Sequence, residues 1–595
     1  MDSVCTKKDS TQLNINKKFQ NIYFANYDEV RTIKGFKFEL IHIIKSIWSI
    51  IYFIPLFAIF IMNIASSDGI AGVFINDSIY FNLYLVIFLP MLCIYKVHDV
   101  NDFELSLNSA IIVYIRKALS VMCFAGIFPI IIIIYAGLPM IYSSLSFPLF
   151  LNFSLYITVT WGIQILFCTG FGFFLGLIIR HKIAYVTVFI SAIAISPIFQ
   201  IFLISNDIVE YSRNNIANLN LLNLIFDEPW RLRRLGYGFS FNTFFWSDIL
   251  IYCFVAVILS SLTFLIIMIA KKAFTNKFLQ IGICLCIIIL SSYGFYQTKE
   301  TALASYPIIY SAYDGEEIPS KFDNKVIDEN YRELSIISYE MDVDLNSNFK
   351  NTCSLEILNT SNNDFFDTLK LKLDECFNID SIKIENEEIT FRRTNDYIEI
   401  ENIHLLKNKI KKIEIIYSGT INYCDDLLTK NVFADNNSAN LPEIFAWYPK
   451  LETLKNQINF TIDVRAKNHL VSNLSNHTVL SGKNEYKLSG EATDVYLVSG
   501  YFSTISIDEY TITSYEELIN IETMKKEINE IKNGEYEIPN TPLMIYEDGH
   551  NSFYFSTDEM SQIKTLFFYP YSYNAASGVY YFDGAIILTD TVARW

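Results

Sequence analysis

The sequence is poor in basic residues relative to acidic ones. Its 595 residues include 46 Lys and Arg against 63 Asp and Glu, which gives a formal net charge of −17 at pH 7. No basic stripe occurs outside the flanks of the apolar segments, and this argues against a nucleic-acid-binding surface. The sequence also has no G-x-x-x-x-G-K-[ST] loop, the pattern that cradles nucleotide phosphates. It therefore predicts neither nucleic-acid binding nor a nucleotide site within this chain.

Zinc-binding patterns are missing as well. The motif H-E-x-x-H, in which two histidines one helical turn apart grip zinc and the glutamate acts as base, does not occur. The histidines beyond the apolar half are scattered, with no second histidine four residues later: His404, His469, His477 and His550. We therefore assign no catalytic, cofactor-binding or metal-binding residue from the sequence.

Cysteine is too sparse in the polar half for a disulfide framework. Most of the ten cysteines lie in or beside apolar segments or at the N-terminus, where a buried cysteine behaves as a small hydrophobe. The other three leave room for one bridge, and the pairing stays open: Cys353, Cys376 and Cys424.

Long apolar runs dominate the chain up to about residue 296. Residues 1–34 are polar and contain no cleavable signal peptide, so we expect the first run to remain in the bilayer. A bilayer core of roughly 30 Å needs about 20 apolar residues of helix. The fourth run is long enough to tilt or break, and Thr169, Gly170 and Gly172 would permit either. The candidate spans are 46–65, 79–95, 118–138, 149–179, 183–204, 249–270 and 278–296.

Basic residues in the short loops predict the orientation of these spans. They all fall on one side of the predicted membrane: Lys17, Lys18, Lys34, Lys37 and Lys45; Lys96, Arg116 and Lys117; Arg180 and Lys182; Lys271, Lys272 and Lys277. The intervening loops at 66–78 and 139–148 contain neither Lys nor Arg. Because positive loops stay in the cytoplasm, we expect a multi-pass cell-membrane protein with a cytoplasmic N-terminus and an extracytoplasmic half after 297.

The membrane half resembles a permease of the ABC-2 type. Its stretch KGFKFELIHIIK (34–45) is basic and amphipathic, which suits the cytoplasmic interface. A cytoplasmic segment follows at 96–117, and a long outer loop at 205–248 separates spans five and six. The resemblance implies a cytoplasmic ABC ATPase subunit that handles ATP and presses on 34–45 and 96–117. It also implies permeases that pair as a homodimer or heterodimer in the lipid bilayer.

The apolar runs set the domain boundaries of the first half, and the resemblance names one of its domains. We predict a cytoplasmic N-terminus with an interfacial helix at 1–45, a six-helix ABC-2-like permease domain at 46–270, a seventh transmembrane helix at 278–296 and a linker at 297–330. The alternative is a membrane anchor with no transport function, although one helix would be enough to hold a domain at the surface.

Beyond residue 331 the hydrophobic period changes to two, which is typical of β-strands. The segments with this alternation are 333–345, 353–361, 366–374, 396–402, 410–419, 457–465, 469–475, 484–490 and 493–502. Many short strands at such spacing predict a sandwich or a saddle-shaped antiparallel sheet.

Five landmarks in 330–505 resemble, in order, the N-terminal β domain of the M1 family of zinc aminopeptidases. They are Tyr339 with its strand, IIYSGTI, FAWYP, LVSNLS and YLVSGYF. The resemblance implies an M1-like β domain over 331–512. We interpret Trp447 and Tyr448 as sheet core, with the lining of a cleft as the alternative. An unrelated extracellular β-sandwich that binds a partner is the alternative to the family.

Residues 513–595 resemble the start of the family's catalytic domain. The stretch YEELINIETMKKEINEIKNG (515–534) predicts a helix with charged pairs at i,i+4. GAIIL (584–588) stands where the family has Gly-x-Met-Glu-Asn, but it lacks the glutamate that holds a substrate's amine. Since H-E-x-x-H is also missing, the resemblance implies zinc only in a longer form of the chain.

These patterns together predict a multi-domain protein. A polytopic α-helical membrane domain precedes an extracytoplasmic antiparallel all-β domain and the incomplete start of an α+β peptidase-like domain. The favoured function is the permease subunit of a bacterial ABC transporter whose outer domain handles peptides. The alternative is a membrane-tethered M1 zinc aminopeptidase whose catalytic half is truncated.

Overall fold

The structure is a computed structural model with a helical half and a β half. In the helical half it describes residues 35–66, 70–98, 110–137, 147–179, 181–194, 243–270 and 277–305. In the β half it describes 308–310, 334–515 apart from short gaps, 565–569, 579–582 and 585–589. The chain divides into two compact units, Met1–Leu138 with Ser154–Asp227 and Thr243–Ala304, and Pro139–Phe153 with Glu228–Asn242 and Ser305–Trp595.

Every predicted apolar segment contains a helix. The helices are α1 (Gly35–Lys45), α2 (Ile47–Ser66), α3 (Ile70–His98), α4 (Ala110–Gly137), α5 (Phe147–Ile178), α6 (His181–Ala194), α7 (Thr243–Ala270) and α8 (Lys277–Ser305). Within the described residues, four stretches are long and apolar enough to cross a membrane, namely Val113–Tyr135, Phe150–Ile178, Phe245–Ile269 and Gln280–Ala304. The bent pair α1 and α2 passes the same test together, whereas α3 (over Asn82–His98) and α6 (over Lys182–Ala194) are shorter. The number of crossings therefore stays a prediction.

Helix α5 is continuous, although its glycines would permit a break. An added Cβ at Gly172 would lie 2.5 Å from the Cα of Pro90 in α3. The amide of Gln164 donates to the carbonyl oxygen of Asn82 in α3 at 3.1 Å, between buried residues. The small residue and the hydrogen bond both serve close packing of α5 on α3, as is usual between transmembrane helices.

The described residues of the β half form four sheets. Its strands are β1 (Ile308–Tyr310), β2 (Leu334–Asp344), β3 (Phe349–Asn359), β4 (Phe365–Lys372), β5 (Phe377–Ile384), β6 (Glu387–Glu388), β7 (Arg392–Thr394), β8 (Tyr397–His404), β9 (Ile410–Gly419), β10 (Asn422–Asp425), β11 (Asn431–Ala434), β12 (Ala439–Leu441), β13 (Ile458–Arg465), β14 (His469–Ser472), β15 (Asn476–Leu480), β16 (Glu485–Ala492), β17 (Leu497–Gly500), β18 (Phe502–Ile507), β19 (Tyr510–Tyr515), β20 (Thr565–Tyr569), β21 (Val579–Phe582) and β22 (Ala585–Thr589). The largest sheet has the order β15-β16-β13-β2-β3-β9-β5-β6.

The expectation of a wholly antiparallel β domain is wrong in two places. Strand β2 pairs in parallel with β13, and β1 pairs in parallel with β10. Both pairs join segments that are far apart in the chain, and a long connection permits a parallel return that a tight hairpin does not. The other pairs in these two sheets are antiparallel, as the alternating pattern predicts.

The boundary between the halves differs from the predicted linker. Helix α8 continues to Ser305 rather than ending at 296, and β1 lies inside the predicted linker of 297–330. Only residues 306 and 307 separate the helix from the strand. Periodicity could not find β1, because a strand of three residues is too short to show it.

A further sheet contains strands from both of the domains that were predicted to meet at residue 512. Its order is β18-β19-β20-β22-β21, so the hairpin at 502–515 pairs with strands from 565–589. TLFFY forms β20, and all but the glycine of GAIIL lies in β22. The helix predicted at 515–534 lies outside the described residues.

Candidate functional site

Polar side chains from α1, the end of α3 and the start of α4 meet in one cluster, which we call the ionic clasp. Glu39, Lys96 and Lys117 are its buried members, whereas Arg116 is partly buried and His42 is exposed at its edge. Lys96 is 2% exposed and Lys117 is 3% exposed, although lysine is almost never fully buried unless it is paired. Lys96 precedes the 99–109 connection and Lys117 follows it, so the clasp brings together both ends of this connection.

Glu39 is the acceptor at the centre of the clasp. The Nζ atom of Lys96 lies 3.1 Å from its Oε2, and Nη2 of Arg116 lies 3.8 Å from its Oε1. Lys96 Nζ also lies 3.1 Å from Nδ1 of His42, and since an ammonium only donates, this ring nitrogen accepts. Lys117 Nζ donates to the carbonyl oxygen of Lys96 at 3.0 Å. One carboxylate and one carbonyl thus tie three helices together.

Ser46 sets the direction in which α1 reaches the clasp. Its backbone N–H and its Oγ donate to the carbonyl oxygen of Ile43 at 3.1 and 2.7 Å. Its own carbonyl oxygen accepts from the N–H of Ser49 at 3.1 Å. These bonds satisfy backbone groups that a helix end leaves open. They accompany a bend of 60° between α1 and α2.

The start of α1 is shaped to admit the arginine. An added Cβ at Gly35 would lie 2.5 Å from Nη1 of Arg116. A side chain at this position would force the Arg116 side chain to shift. Glycine is therefore part of the geometry that lets α1 close on α4.

The outward face of α1 combines large apolar and basic side chains. Phe38 is 68% exposed and Ile44 is 44% exposed, and Lys37 and Lys45 are exposed on the same helix. Glu39 faces inward and is buried. Exposed apolar and basic side chains together support the interfacial position predicted for 34–45.

The contacts of the clasp connect three helices, which suits a mechanical role better than a catalytic one. Removal of one partner from a buried ion pair costs about 3–5 kcal/mol, because the other charge stays buried, whereas an exposed pair contributes about 0–1 kcal/mol. Displacement of α1 is therefore strongly coupled to α3 and α4.

The sequence predicted both segments of the clasp but not their contact. Segments 34–45 and 96–117 were each assigned to the cytoplasmic side by their basic residues. The available signal was Glu39, the single acidic residue in KGFKFELIHIIK. A single acidic residue among basic ones on a helix indicates an ion pair with a basic residue elsewhere. Lys96 and Arg116 are basic residues near the ends of the next two predicted spans.

The landmark FAWYP of the β half is structural core. Trp447 is 0% exposed and Tyr448 is 2% exposed, which confirms their interpretation as sheet core. The Trp447 indole donates to the carbonyl oxygen of Val495 at 3.1 Å. Lys450 exchanges both backbone hydrogen bonds with Lys372, at 2.7 and 2.8 Å.

Tyrosine hydroxyls hold this segment from several strands. Tyr417 donates to the carbonyl oxygen of Trp447 at 2.9 Å, and Tyr339 donates to that of Pro449 at 2.7 Å. Tyr448 donates to Oδ1 of Asp494 at 2.5 Å, an oxygen that also pairs with Lys450. Burial raises the pKa of all three tyrosines well above the ordinary value, and the Asp494 carboxylate raises that of Tyr448 further. The neutral hydroxyls are donors throughout the ordinary pH range.

The cysteines and histidines of the β half are dispersed in the described residues. Cys353 and Cys376 are thiols and are not bonded to each other, and the side chain of Cys424 lies outside the described part. His404 ends β8 and His469 begins β14, while His550 lies outside the described residues. In the part of the chain that the structure describes, no three His, Cys, Asp or Glu side chains are grouped to hold a metal ion.

Comparisons with known proteins give similarity to solved structures only. No protein-family model and no curated protein matches the sequence. An M1 zinc metallopeptidase from Deinococcus radiodurans aligns over 44% of this chain and 61% of its own, with 9% identity and a TM-score of 0.29. Leukotriene A4 hydrolase from Saccharomyces cerevisiae aligns over 44% of this chain and 42% of its own, with 12% identity and a TM-score of 0.30.

The chain thus spans less than two thirds of the length of these enzymes. They are neighbours of the M1 kind that the landmarks of 330–505 resemble. At 9% to 12% identity, neither a substrate nor a catalytic residue carries over from them. The ABC-2 resemblance of the helical half stays a prediction, because no family model matches.

Proposed function

We propose that the chain is the permease subunit of a bacterial ABC transporter, embedded in the cell membrane with its N-terminus in the cytoplasm and its β half outside. Four described helices are long and apolar enough to span a bilayer, which supports the membrane location. The observation that carries the proposal is the ionic clasp. It joins α1 to α3 and α4 on the side where the positive loops place the cytoplasm.

The clasp suggests how force would enter the membrane domain. An ATPase subunit docks on α1 and the 99–109 connection and displaces α1 as it binds and hydrolyses ATP. Because Glu39 holds both Lys96 and Arg116, this displacement moves α3 and α4 together. Two such permeases, identical or different, then alternate between inward and outward states, while the outer M1-like domain receives or gates a peptide substrate.

The substitution Glu39→Gln tests the coupling. It removes the charge that balances Lys96 and Arg116 but keeps the size of the side chain. We expect the ATPase subunit still to co-purify, because the docking surface remains. We also expect ATP with vanadate to change amide hydrogen exchange in α3 and α4 of the wild type, and this response to be lost in the variant.

Two further variants serve as controls. Glu340→Gln removes a carboxylate from an exposed pair with Lys412, whose side chains are 72% and 51% exposed, and should leave the response unchanged. The double variant Glu39→Lys with Lys96→Glu restores opposite charges at these two positions. It should recover part of the nucleotide-dependent change in hydrogen exchange. A normal nucleotide response in Glu39→Gln would contradict coupling through the clasp.

Topology and catalysis are tested separately. A protease added to intact cells should digest the β half, and digestion only in inverted vesicles would contradict the proposal. A purified chain that hydrolyses aminoacyl substrates and loses this activity with a chelator would favour the membrane-tethered peptidase instead.

A further inference from the structure

Three of the described helices contain a proline in their interior, and two of these prolines have the same setting. Pro55 lies in α2, Pro90 lies in α3 and Pro129 lies in α4. Proline has no N–H, so the carbonyl oxygen four residues earlier loses its helical hydrogen bond. In α2 and α4 the carbonyls released in this way belong to Ile51 and Ala125. In a bilayer such a group is satisfied by a neighbouring helix, a side chain or ordered water.

Tyrosine hydroxyls donate to both of these carbonyls. Tyr52 in α2 donates to the carbonyl oxygen of Ala125 at 2.7 Å, and both residues are 0% exposed. Tyr84 in α3 donates to the carbonyl oxygen of Ile51. Each hydroxyl thus takes the place of the N–H that a proline lacks. Both hydroxyls select the released carbonyl, although each helix offers many others, and this ties their positions to the two prolines.

The two hydrogen bonds meet at consecutive residues of α2. The carbonyl of Ile51 and the N–H of Tyr52 belong to one planar peptide group. A helix bends most readily at an interior proline. A change of bend at Pro55 therefore tilts the carbonyl that Tyr84 holds. The same change displaces the side chain that holds Ala125 in α4.

The ring of Tyr52 is gripped from two sides and follows its backbone. Its centroid lies 5.1 Å from that of Phe88 in α3 and 4.9 Å from that of Phe124 in α4. Phe124 directly precedes Ala125, so the ring and the hydroxyl contact the same turn of α4. A displacement of Tyr52 thus reaches α4 in the turn before Pro129.

Pro90 in α3 has a different setting. An added Cβ at Gly172 in α5 would lie 2.5 Å from its Cα and 2.8 Å from its carbonyl oxygen. The backbones of α3 and α5 are therefore closely packed at this point, and α3 bends here only if α5 moves with it. Helix α3 supports Tyr84, whereas α2 and α4 are the helices that bend.

We propose that α2 and α4 form a coupled pair of hinges. Tyr84 and Tyr52 are positioning residues that make the bends at Pro55 and Pro129 change together. The inference deepens the proposed function and rests on its membrane location, because α2 follows α1 of the ionic clasp and carries a displacement of α1 further into the helices. It concerns the chain alone and involves neither an ATPase subunit nor a substrate. Its failure would leave the test of the clasp unaffected, and the reverse also holds.

Distances between spin labels in the full chain in nanodiscs test the coupling. Labels attached through non-canonical amino acids leave the native cysteines in place. Each pair of labels spans the proline of one helix and reports the bend of that helix. The labelled positions, all with exposed side chains, are Ile47 and Ile61 in α2 and Leu119 and Ile134 in α4.

The substitution Pro55→Ala restores an N–H to α2 and should straighten this helix. If the hinges are coupled, the label distance in α4 shifts as well, by roughly 3 Å for a change in bend of about 20° across a helix of ordinary width. Adding Tyr52→Phe should abolish the shift in α4 and keep the shift in α2. Tyr95→Phe is the matched control and should preserve both shifts. The Tyr95 ring packs on Trp48 at 5.3 Å, but its hydroxyl makes no hydrogen bond within the described residues.

The reciprocal variant Pro129→Ala should shift the label distance in α2, and Tyr52→Phe should abolish that shift too. A shift confined to the helix that carries the substitution would overturn the proposal, because the hydroxyls would then be static braces. A shift in α4 that persists when Pro55→Ala is combined with Tyr52→Phe would also overturn it, since ring packing would then carry the displacement.

The substitution Tyr84→Phe tests the other hydroxyl. It leaves the carbonyl of Ile51 without its donor from α3, so we expect the label distance in α2 to show a broader distribution than in the wild type. An unchanged distribution would overturn the assignment of Tyr84 as a positioning residue.

Discussion

The helical half and the β half differ in what they expose. In the helical half, large apolar side chains point outward along the helices, as with Ile54 at 62%, Ile134 at 62% and Leu290 at 69% exposed. In the described β half, exposed large apolar side chains are confined to Leu406, Ile410 and Val479. Water disfavours contiguous apolar surface, whereas lipid tails accept it. The comparison indicates that the two halves are built for different solvents.

The two halves also bury polar groups differently. The helical half encloses full charges in the ionic clasp, where Glu39, Lys96 and Arg116 compensate one another. The β half buries neutral tyrosine hydroxyls that donate to backbone carbonyls or to Asp494. It also encloses charges, since Lys450 pairs with Asp494 at side chains that are 15% and 11% exposed. The clasp thus depends on charge pairs between helices, whereas the β core combines charge pairing with aromatic packing and neutral donors.

Among the substitutions, the largest effect should come from Trp447→Ala in the aromatic core. The loss of this fully buried indole should lower the free energy of unfolding of the β half by about 3–5 kcal/mol. Limited proteolysis of the full chain in detergent should then cleave the β half and spare the helices. Val479→Ala, at a side chain 58% exposed, should leave the pattern unchanged. Loss of the helical fragments as well would show that the halves are not independent.

A smaller effect is expected from Gly172→Ala in α5. The new Cβ would meet the backbone of Pro90, and overpacking of this kind costs about 1–3 kcal/mol. Gly162→Ala is the matched control in the same helix, because nothing lies within 4 Å of its added Cβ. The melting temperature in detergent, read by helical circular dichroism, should fall for the first variant only. Equal effects would mean that close packing of α5 on α3 does not stabilise the helical half.

The most gradual effect is expected from alkaline pH. Burial raises the pKa of Tyr339, Tyr417 and Tyr448 in the folded chain, while an unfolded tyrosine titrates near pH 10. Their stabilisation is therefore complete below about pH 10 and is lost as pH rises toward the folded values. The free energy of unfolding of the β half should fall by up to about 1.4 kcal/mol per pH unit for each of these tyrosines.

Denaturant titration between pH 9 and pH 12 would measure this slope, with proteolysis of the β half as the readout. Tyr417→Phe should remove the share of one tyrosine from the slope. A stability that is independent of pH in this window would contradict the burial of these hydroxyls.

The positions of many strands along the chain could be predicted from the sequence. The segment predicted at 410–419 is β9 (Ile410–Gly419), and the one at 457–465 is β13 (Ile458–Arg465). Alternation identified them because one face of each strand is buried. The short strands β10, β11 and β12 were missed, since three or four residues show no period. Strand β5 is long enough to show a period, but it was missed because much of it is only partly buried.

By itself the sequence determined which segments are apolar helices and which are alternating strands, since these properties depend on neighbours within a few residues. It also predicts, without a test so far, that the basic loops lie on one side of a membrane. Only the tertiary structure decided that Glu39 binds Lys96, that β2 lies beside β13 and that Asn359 donates to the carbonyl oxygen of Leu405. Such contacts join residues tens of positions apart, and their geometry follows from the packing of whole elements rather than from any local pattern.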